Sequence, residues 1–138
     1  MARQLPNNGH ILGVDYGFVR TGLALAGAIA RLPEPYTVVN SAEAIQKIKD
    51  LIGAEDIQLI VVGLPRSLEG NETAQSKSIR RFADELRRAV DPEVCFADET
   101  LSSARAERYL KDHKSAAGEV DSIAACFILE EFFHEAGN

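Results

Sequence analysis

The stretch HILGVDYGFVRTGLALAG, residues 10–27, indicates how the fold begins. Residues 10–15 form an apolar run of strand length, residues 16–20 have the composition of a turn, and residues 21–27 form a second apolar run. This pattern predicts a β-hairpin. It also places Asp15 at the end of an apolar strand, where a carboxylate loses hydration unless a partner or a metal ion meets it. A turn closed by the aspartate side chain is the competing interpretation.

The rest of the chain alternates between predicted helices and strands. Short apolar or β-branched runs predict strands over residues 36–40, 57–62 and 93–97, with a loop over residues 63–72. Apolar residues at helical spacing predict helices over residues 41–52, 73–90, 102–111 and 120–134. Ser41 suits the N-cap of the first helix and Gly53 its stop.

This order of elements predicts the fold class and the domain organisation. An antiparallel meander followed by strands reached through helical crossovers gives a mixed five-stranded α/β sheet flanked by helices. The chain has 138 residues, of which 46% are hydrophobic, enough to enclose one core. We therefore expect one domain over residues 1–138, with flexible tails at residues 1–8 and 135–138.

The composition narrows the location and the partners of the protein. No apolar run of about 18 residues appears and residues 1–9 do not resemble a signal peptide, so we expect a cytoplasmic protein without membrane contacts. Cys95 and Cys126 lie in apolar runs and are expected to be free thiols. The formal charge of −6 argues against broad binding to polyanions. One local basic cluster, which an ordinary solvated helix face also explains, consists of Arg80, Arg81, Arg87 and Arg88.

Acidic residues follow predicted strands or begin a predicted helix at three places. Asp98 and Glu99 come directly after the fifth strand, and alternation sends only one of them to a given face. Asp121 begins the last helix on a stripe shared with Ala124 and Ala125, although an N-cap also prefers Asp. The carboxyl ends of parallel strands meet at one sheet edge, where these acids and Asp15 would converge.

Carboxylates gathered at one edge repel each other unless cations lie between them. Their oxygen atoms suit Mg²⁺ or Mn²⁺, and two such ions can activate a water and stabilise the leaving oxygen of a phosphodiester. The residues themselves therefore predict a metal-dependent nuclease that needs no nucleophilic serine or cysteine.

Five segments carry a resemblance to a known family: residues 11–26 (ILGVDYGFVRTGLALA), 60–72 (IVVGLPRSLEGNE), 82–86 (FADEL), 97–101 (ADETL) and 120–133 (VDSIAACFILEEFF). Together they resemble the YqgF, or RuvX, family over about residues 9–133. Its members are described as Holliday-junction resolvases or as nucleases that mature the 5′ end of pre-16S ribosomal RNA, and they have a ribonuclease H-like fold.

The resemblance implies roles for particular residues. Asp15, Glu99 and Asp121 match the three acidic positions that hold catalytic Mg²⁺ or Mn²⁺. Substrate-contacting elements are implied at Arg20 and in the loop, at Gly63, Pro65, Arg66 and Gly70. The family usually has an arginine where this chain has Thr100, so Arg105 or Lys114 would have to replace that guanidinium.

Three alternatives remain open on sequence grounds. A resolvase-like nuclease acting on branched DNA would use the same acids, although the resemblance favours precursor ribosomal RNA. The segment DYGFVRTG also resembles the phosphate-binding hairpin of actin-like ATPases, which use two such domains where this chain supplies one. A non-catalytic RNA-binding assembly factor would fit the negative charge. The sequence decides neither RNA against DNA nor monomer against homodimer.

Overall fold

The computed structural model describes residues 4–65, 72–98 and 120–137, and five strands in these ranges form one sheet. The strands are β1 (His10–Tyr16), β2 (Arg20–Gly27), β3 (Glu34–Asn40), β4 (Ile57–Leu64) and β5 (Glu93–Asp98). They lie in the order β3-β2-β1-β4-β5, with β1, β2 and β3 antiparallel and β4 and β5 parallel to β1. The predicted mixed sheet, a meander joined to two parallel strands, is confirmed.

Helices cover both faces of this sheet. In the described ranges they are α1 (Ala44–Ala54), α2 (Ala74–Ala89) and α3 (Val120–Glu135), with a short 3-10 helix at Ser41–Glu43. Apolar side chains of α1 and α2 share one buried cluster with Leu12 and Val14 of β1. Side chains of α3 share another with Ile11. The predicted helix over residues 102–111 lies outside the described residues.

Successive side chains of β1 point alternately into these two clusters, which determines the helices that each of them contacts. Leu12 and Val14 face α1 and α2, whereas Ile11 and Gly13 face α3. A Cβ built on Gly13 would come 2.6 Å from Cγ of Leu129, so the missing side chain lets α3 pack directly on β1. Asp15 follows the same alternation, so its side chain lies on the face of the sheet that α3 covers.

Two predicted helix boundaries were wrong. Ser41 does not cap the first helix: it begins the 3-10 turn, and the N-cap of α1 is Glu43. Ser41 is buried and bonds to the β1–β2 turn instead, a tertiary contact that local spacing does not reveal. Gly53 lies inside α1, which continues to Ala54, and its backbone does not adopt the left-handed conformation with which a glycine ends a helix.

The third and fourth strands are longer than predicted. β3 begins at Glu34 and includes Pro35, which an edge strand tolerates because one side of it needs no donor. β4 continues through Gly63 to Leu64, so the predicted loop begins later than residue 63. Gly63 is buried and paired with Ala97 of β5.

Candidate active site

Asp15 is one of the few buried polar residues in the described part of the chain, with 8% of its surface exposed. It lies near the carboxyl end of β1, directly after the fully buried Val14. The following residue, Tyr16, stacks on Phe82 of α2 with ring centroids 4.2 Å apart. This anchor fixes the end of β1 and leaves the Asp15 carboxylate on the opposite face, toward α3.

Gly22 connects Asp15 to the last helix. In the antiparallel register Gly22 lies directly opposite Asp15, so both residues present the same face of the sheet. A Cβ built on Gly22 would overlap the carbonyl group of Asp121 and approach the Ser122 nitrogen to 2.6 Å. The first turn of α3 therefore rests on the backbone of β2 beside Asp15, and Asp15 and Asp121 are brought to one place.

The Asp121 carboxylate has a cationic partner. Nε of Arg20 donates to Oδ2 of Asp121 at 3.1 Å, and the side chains are 64% and 24% exposed. Arg20 is the first residue of β2 and Asp121 the second of α3. Arg20, predicted to contact the substrate, and Asp121, predicted to be catalytic, are thus in direct contact.

The turn between β1 and β2 is anchored by a residue that sequence analysis assigned a different role. Ser41 donates from its backbone nitrogen to the Val19 carbonyl at 2.8 Å and from Oγ to the Gly17 carbonyl at 2.6 Å. Its Oγ also lies 2.7 Å from Oγ1 of the fully buried Thr21. The turn that carries Arg20 is therefore held against the 3-10 helix.

The parallel strands bring other predicted residues to the same sheet edge. Gly63 pairs with Ala97 and Leu64 with Asp98, and Pro65 follows directly. Asp98 falls on the face of β5 that carries Val94 and Phe96, toward α2 and away from Asp15. Glu99, Arg66, Gly70, Thr100, Arg105 and Lys114 lie outside the described residues.

Two arginines of the predicted basic cluster have structural contacts. Arg80 pairs with Glu72, and its guanidinium lies 5.6 Å from the centre of the Phe96 ring. Arg87 donates to the Val94 carbonyl at 3.0 and 3.2 Å and to Asp84 at 3.1 Å. These two side chains bind groups of the protein itself at the surface of α2. Their contacts support the interpretation of the cluster as an ordinary solvated helix face.

The cysteines are free, as predicted. Burial, with smaller contributions from Glu130 and Glu34, raises the pKa of the Cys126 thiol to about 12. Such a thiol stays protonated at neutral pH and is a poor nucleophile.

Within residues 4–65, 72–98 and 120–137, no group of three or more His, Cys, Asp or Glu side chains is placed to hold a metal ion. The predicted triad has only two of its members, Asp15 and Asp121, in these ranges. Over the same ranges, no helix combines the length and apolar character needed to cross a membrane.

Nearly the whole chain matches the model of a known protein family. A family model described as RuvX, Holliday junction resolvase, matches residues 9–135. The chain belongs to the RuvX family. This membership confirms the resemblance seen in the sequence and assigns the chain to a family of nucleases.

Relatives of this RuvX-family chain cover nearly its whole length. A protein of Roseiflexus sp. (strain RS-1) named "Putative pre-16S rRNA nuclease" is 32% identical over 131 residues, which cover 90% of this chain and 93% of the relative. A protein of Sulfurihydrogenibium sp. (strain YO3AOP1) with the same name is 34% identical over 127 residues, 88% of each chain.

Solved structures support the ribonuclease H-like fold of the RuvX-family chain. T. thermophilus RuvC in complex with a Holliday junction substrate matches with a TM-score of 0.52 at 14% identity, covering 95% of this chain and 98% of RuvC. The Fowlpox virus resolvase, in complex with Holliday junction DNA, matches with a TM-score of 0.53 at 12% identity, covering 91% and 97%. At these identities the likeness concerns the fold alone.

Proposed function

We propose that this protein is a metal-dependent nuclease that hydrolyses phosphodiester bonds at the 5′ end of precursor 16S ribosomal RNA. The observation that carries the proposal is the packing of the Asp121 backbone on Gly22, the strand partner of Asp15, because Asp15 and Asp121 are 106 positions apart in the sequence. A fold that brings a buried carboxylate and a helix-borne carboxylate to one strand end has the donors for metal-assisted hydrolysis.

The described residues fit a divalent cation. Both donors are carboxylates, the hard oxygen ligands that Mg²⁺ and Mn²⁺ prefer. Asp121 is already paired with a cation, the Arg20 guanidinium, so this position favours positive charge. Asp15 and Asp121 would hold the metal together with Glu99, which we propose as the third ligand. Two bound ions would supply an activated water and stabilisation of the leaving oxygen.

The remaining residues have binding and positioning roles in this proposal. Burial of Asp15 and the stacking of Tyr16 on Phe82 hold one carboxylate in a fixed orientation. Arg20 is mostly exposed and can turn from Asp121 to a phosphate of the substrate. We propose that Pro65, Arg66 and Gly70 contact the nucleic-acid backbone, as the family resemblance implies. Gly63 is buried in β4 and would act through the position of this loop.

The names of the relatives support RNA as the proposed substrate. Proteins 32% and 34% identical to this chain are named for pre-16S rRNA, which favours an RNA substrate. A ribosomal RNA substrate would place the protein in the cytoplasm. We propose that it acts there as a monomer or a homodimer. The second candidate is cleavage of branched DNA, because the family description and the RuvC complex both refer to Holliday junctions.

A side-by-side cleavage assay tests the proposal. Purified protein is incubated with precursor 16S rRNA and with a four-way DNA junction, each with Mn²⁺ and with chelator. We expect Mn²⁺-dependent cleavage of the RNA that is lost in both Asp15→Asn and Asp121→Asn. Cleavage of the junction alone would favour the second candidate. Full activity in chelator, or in both variants, would refute the metal-dependent site.

A further inference from the structure

The turn at the tip of the β1–β2 hairpin carries two exposed apolar side chains. Phe18 is 69% exposed and Val19 is 74% exposed. Exposing a whole aromatic ring forgoes the free energy that its burial would give. Neither side chain belongs to the buried clusters on the two faces of the sheet. They are therefore available to a binding partner.

The backbone on both sides of Phe18 is fixed. The Gly17 nitrogen donates to the Arg20 carbonyl at 3.0 Å, which closes the turn. Ser41 holds the carbonyl groups of Gly17 and Val19, and Ser41 itself is buried. The backbone position of Phe18 is thus set by the fold, and little backbone conformational entropy remains to be lost when its ring is covered.

The turn that carries Phe18 is close in the chain to the candidate active site. Phe18 lies three positions after Asp15, so their Cα atoms are at most about 11 Å apart. Arg20 follows two residues after Phe18 and reaches Asp121 at 3.1 Å. The Asp15 carboxylate, the Phe18 ring and the Arg20 guanidinium thus follow one another along one hairpin, and Arg20 contacts the carboxylate of Asp121 on α3. This arrangement matches the base, the phosphate and the scissile bond of a nucleotide.

We propose that Phe18 is a stacking platform for an unpaired base next to the phosphate that is cut, with Val19 as its apolar neighbour. This inference rests on the proposed nuclease function and adds a preference to it. A base can stack on Phe18 only after leaving the continuous stack of a duplex, so single-stranded or branched nucleic acid binds better than uninterrupted duplex.

Matched variants are available for the test. Phe18→Ala removes the ring, Phe18→Leu keeps apolar volume without a stacking face, and Phe18→Trp keeps the face. Leu32 provides the control, since it is 72% exposed but lies beyond the other end of β2, away from Asp121. Leu32→Ala removes a similar exposed apolar area at a place that cannot reach the proposed substrate.

Binding is measured in chelator with a short single-stranded RNA that carries 2-aminopurine, whose fluorescence is quenched by stacking. We expect Phe18→Ala and Phe18→Leu to bind about 5- to 150-fold more weakly and to lose the quenching, because base stacking on an aromatic ring contributes about that factor. Phe18→Trp and Leu32→Ala should bind like the wild type. Cleavage with Mn²⁺ is measured on the same variants.

Failure of the stacking role and failure of the nuclease function give different results. A wild type that cleaves RNA while Phe18→Ala binds and quenches normally would overturn the stacking role and leave the nuclease assignment intact. An equal loss of RNA binding in Phe18→Ala and Leu32→Ala would overturn the stacking role in favour of non-specific hydrophobic binding. A wild-type dimer that dissociates in Phe18→Ala would overturn it in favour of a protein–protein contact. A wild type that cleaves no substrate would overturn both proposals.

Discussion

Asp121 lies on the backbone of Gly22, so closely that a single methyl group on Gly22 would overlap the Asp121 carbonyl. Gly22 is also the register partner of Asp15. The absence of a side chain at one position of β2 therefore decides how near the two carboxylates come to each other.

Gly22→Ala should destabilise the protein by about 1–3 kcal/mol, the usual cost of overpacking a tight contact. The obstructing atoms are backbone, which cannot move aside as a flexible side chain would, so the start of α3 must shift. Denaturant unfolding measures the stability, and the Mn²⁺-induced rise in melting temperature measures the site. That rise should shrink as the two carboxylates separate.

Gly53→Ala is the control for this substitution. Gly53 lies in α1 with no atom within 4 Å of a Cβ built on it, so alanine should stabilise the protein by about 0.5–1 kcal/mol. A Gly22→Ala protein as stable and as responsive to Mn²⁺ as the wild type would contradict the proposed contact.

Asp15→Asn should abolish Mn²⁺-dependent cleavage and leave the fold intact. In chelator the variant should be as stable as the wild type or more stable, because it removes a buried negative charge from beside Asp121. Mn²⁺ should raise the melting temperature of the wild type and raise that of the variant much less.

Thermal melts of both proteins, with chelator and with millimolar Mn²⁺, provide the measurement. Asp50→Asn, a substitution of an exposed acid on α1, should respond to Mn²⁺ like the wild type. A wild type indifferent to Mn²⁺, combined with a less stable Asp15→Asn in chelator, would indicate a structural turn acid instead.

Arg20→Ala should have opposite effects on the affinity for Mn²⁺ and the affinity for RNA. Removing the guanidinium frees Asp121 from a competing cation, so Mn²⁺ should bind about 1.5- to 5-fold more tightly, in the range of exposed ion pairs. RNA should bind more weakly, and the slope of log K against log salt should fall by about 0.7, one lost phosphate contact on a single strand.

Calorimetry with Mn²⁺ and a salt titration of RNA binding separate these effects. Arg88→Ala removes the same charge from an exposed position of α2 and should leave both quantities unchanged. Our choice of Arg20 as a phosphate ligand would be wrong if its removal left the salt slope as it was.

Cys126 should make stability depend on alkaline pH. Its pKa is about 12 in the folded protein against an ordinary value of 9.0, so the unfolded chain releases the proton first as pH rises. The stabilisation is complete below pH 9 and is lost progressively between pH 9 and 12. Unfolding measured across this range should show a component that disappears in Cys126→Ala, while a pH profile identical in both proteins would contradict it.

The sequence alone was sufficient for the sheet and for the family. Continuous apolar runs in β1 and β4 indicate strands covered on both faces, and the spacing of Ile79, Phe82 and Leu86 indicates a helix. These patterns are local and repeat with the period of the element, so they can be read without tertiary information. The boundaries at Ser41 and Gly53 were not predictable in this way. A serine that caps a helix and a buried serine that bonds to a distant turn have the same local sequence, and a glycine can lie inside a helix as well as end it.

The residues of the candidate site follow partly from the sequence and partly from the tertiary structure. Asp15 and Asp121 stood out in the sequence because each is an acid beside apolar residues, and the parallel order of β1, β4 and β5 predicted a common edge. Only the tertiary structure decided that Gly22 admits the start of α3, that Arg20 meets Asp121, and that Ser41 holds the hairpin turn. Such contacts join residues far apart in the chain through steric fit and hydrogen-bond geometry, which residue type and spacing do not encode.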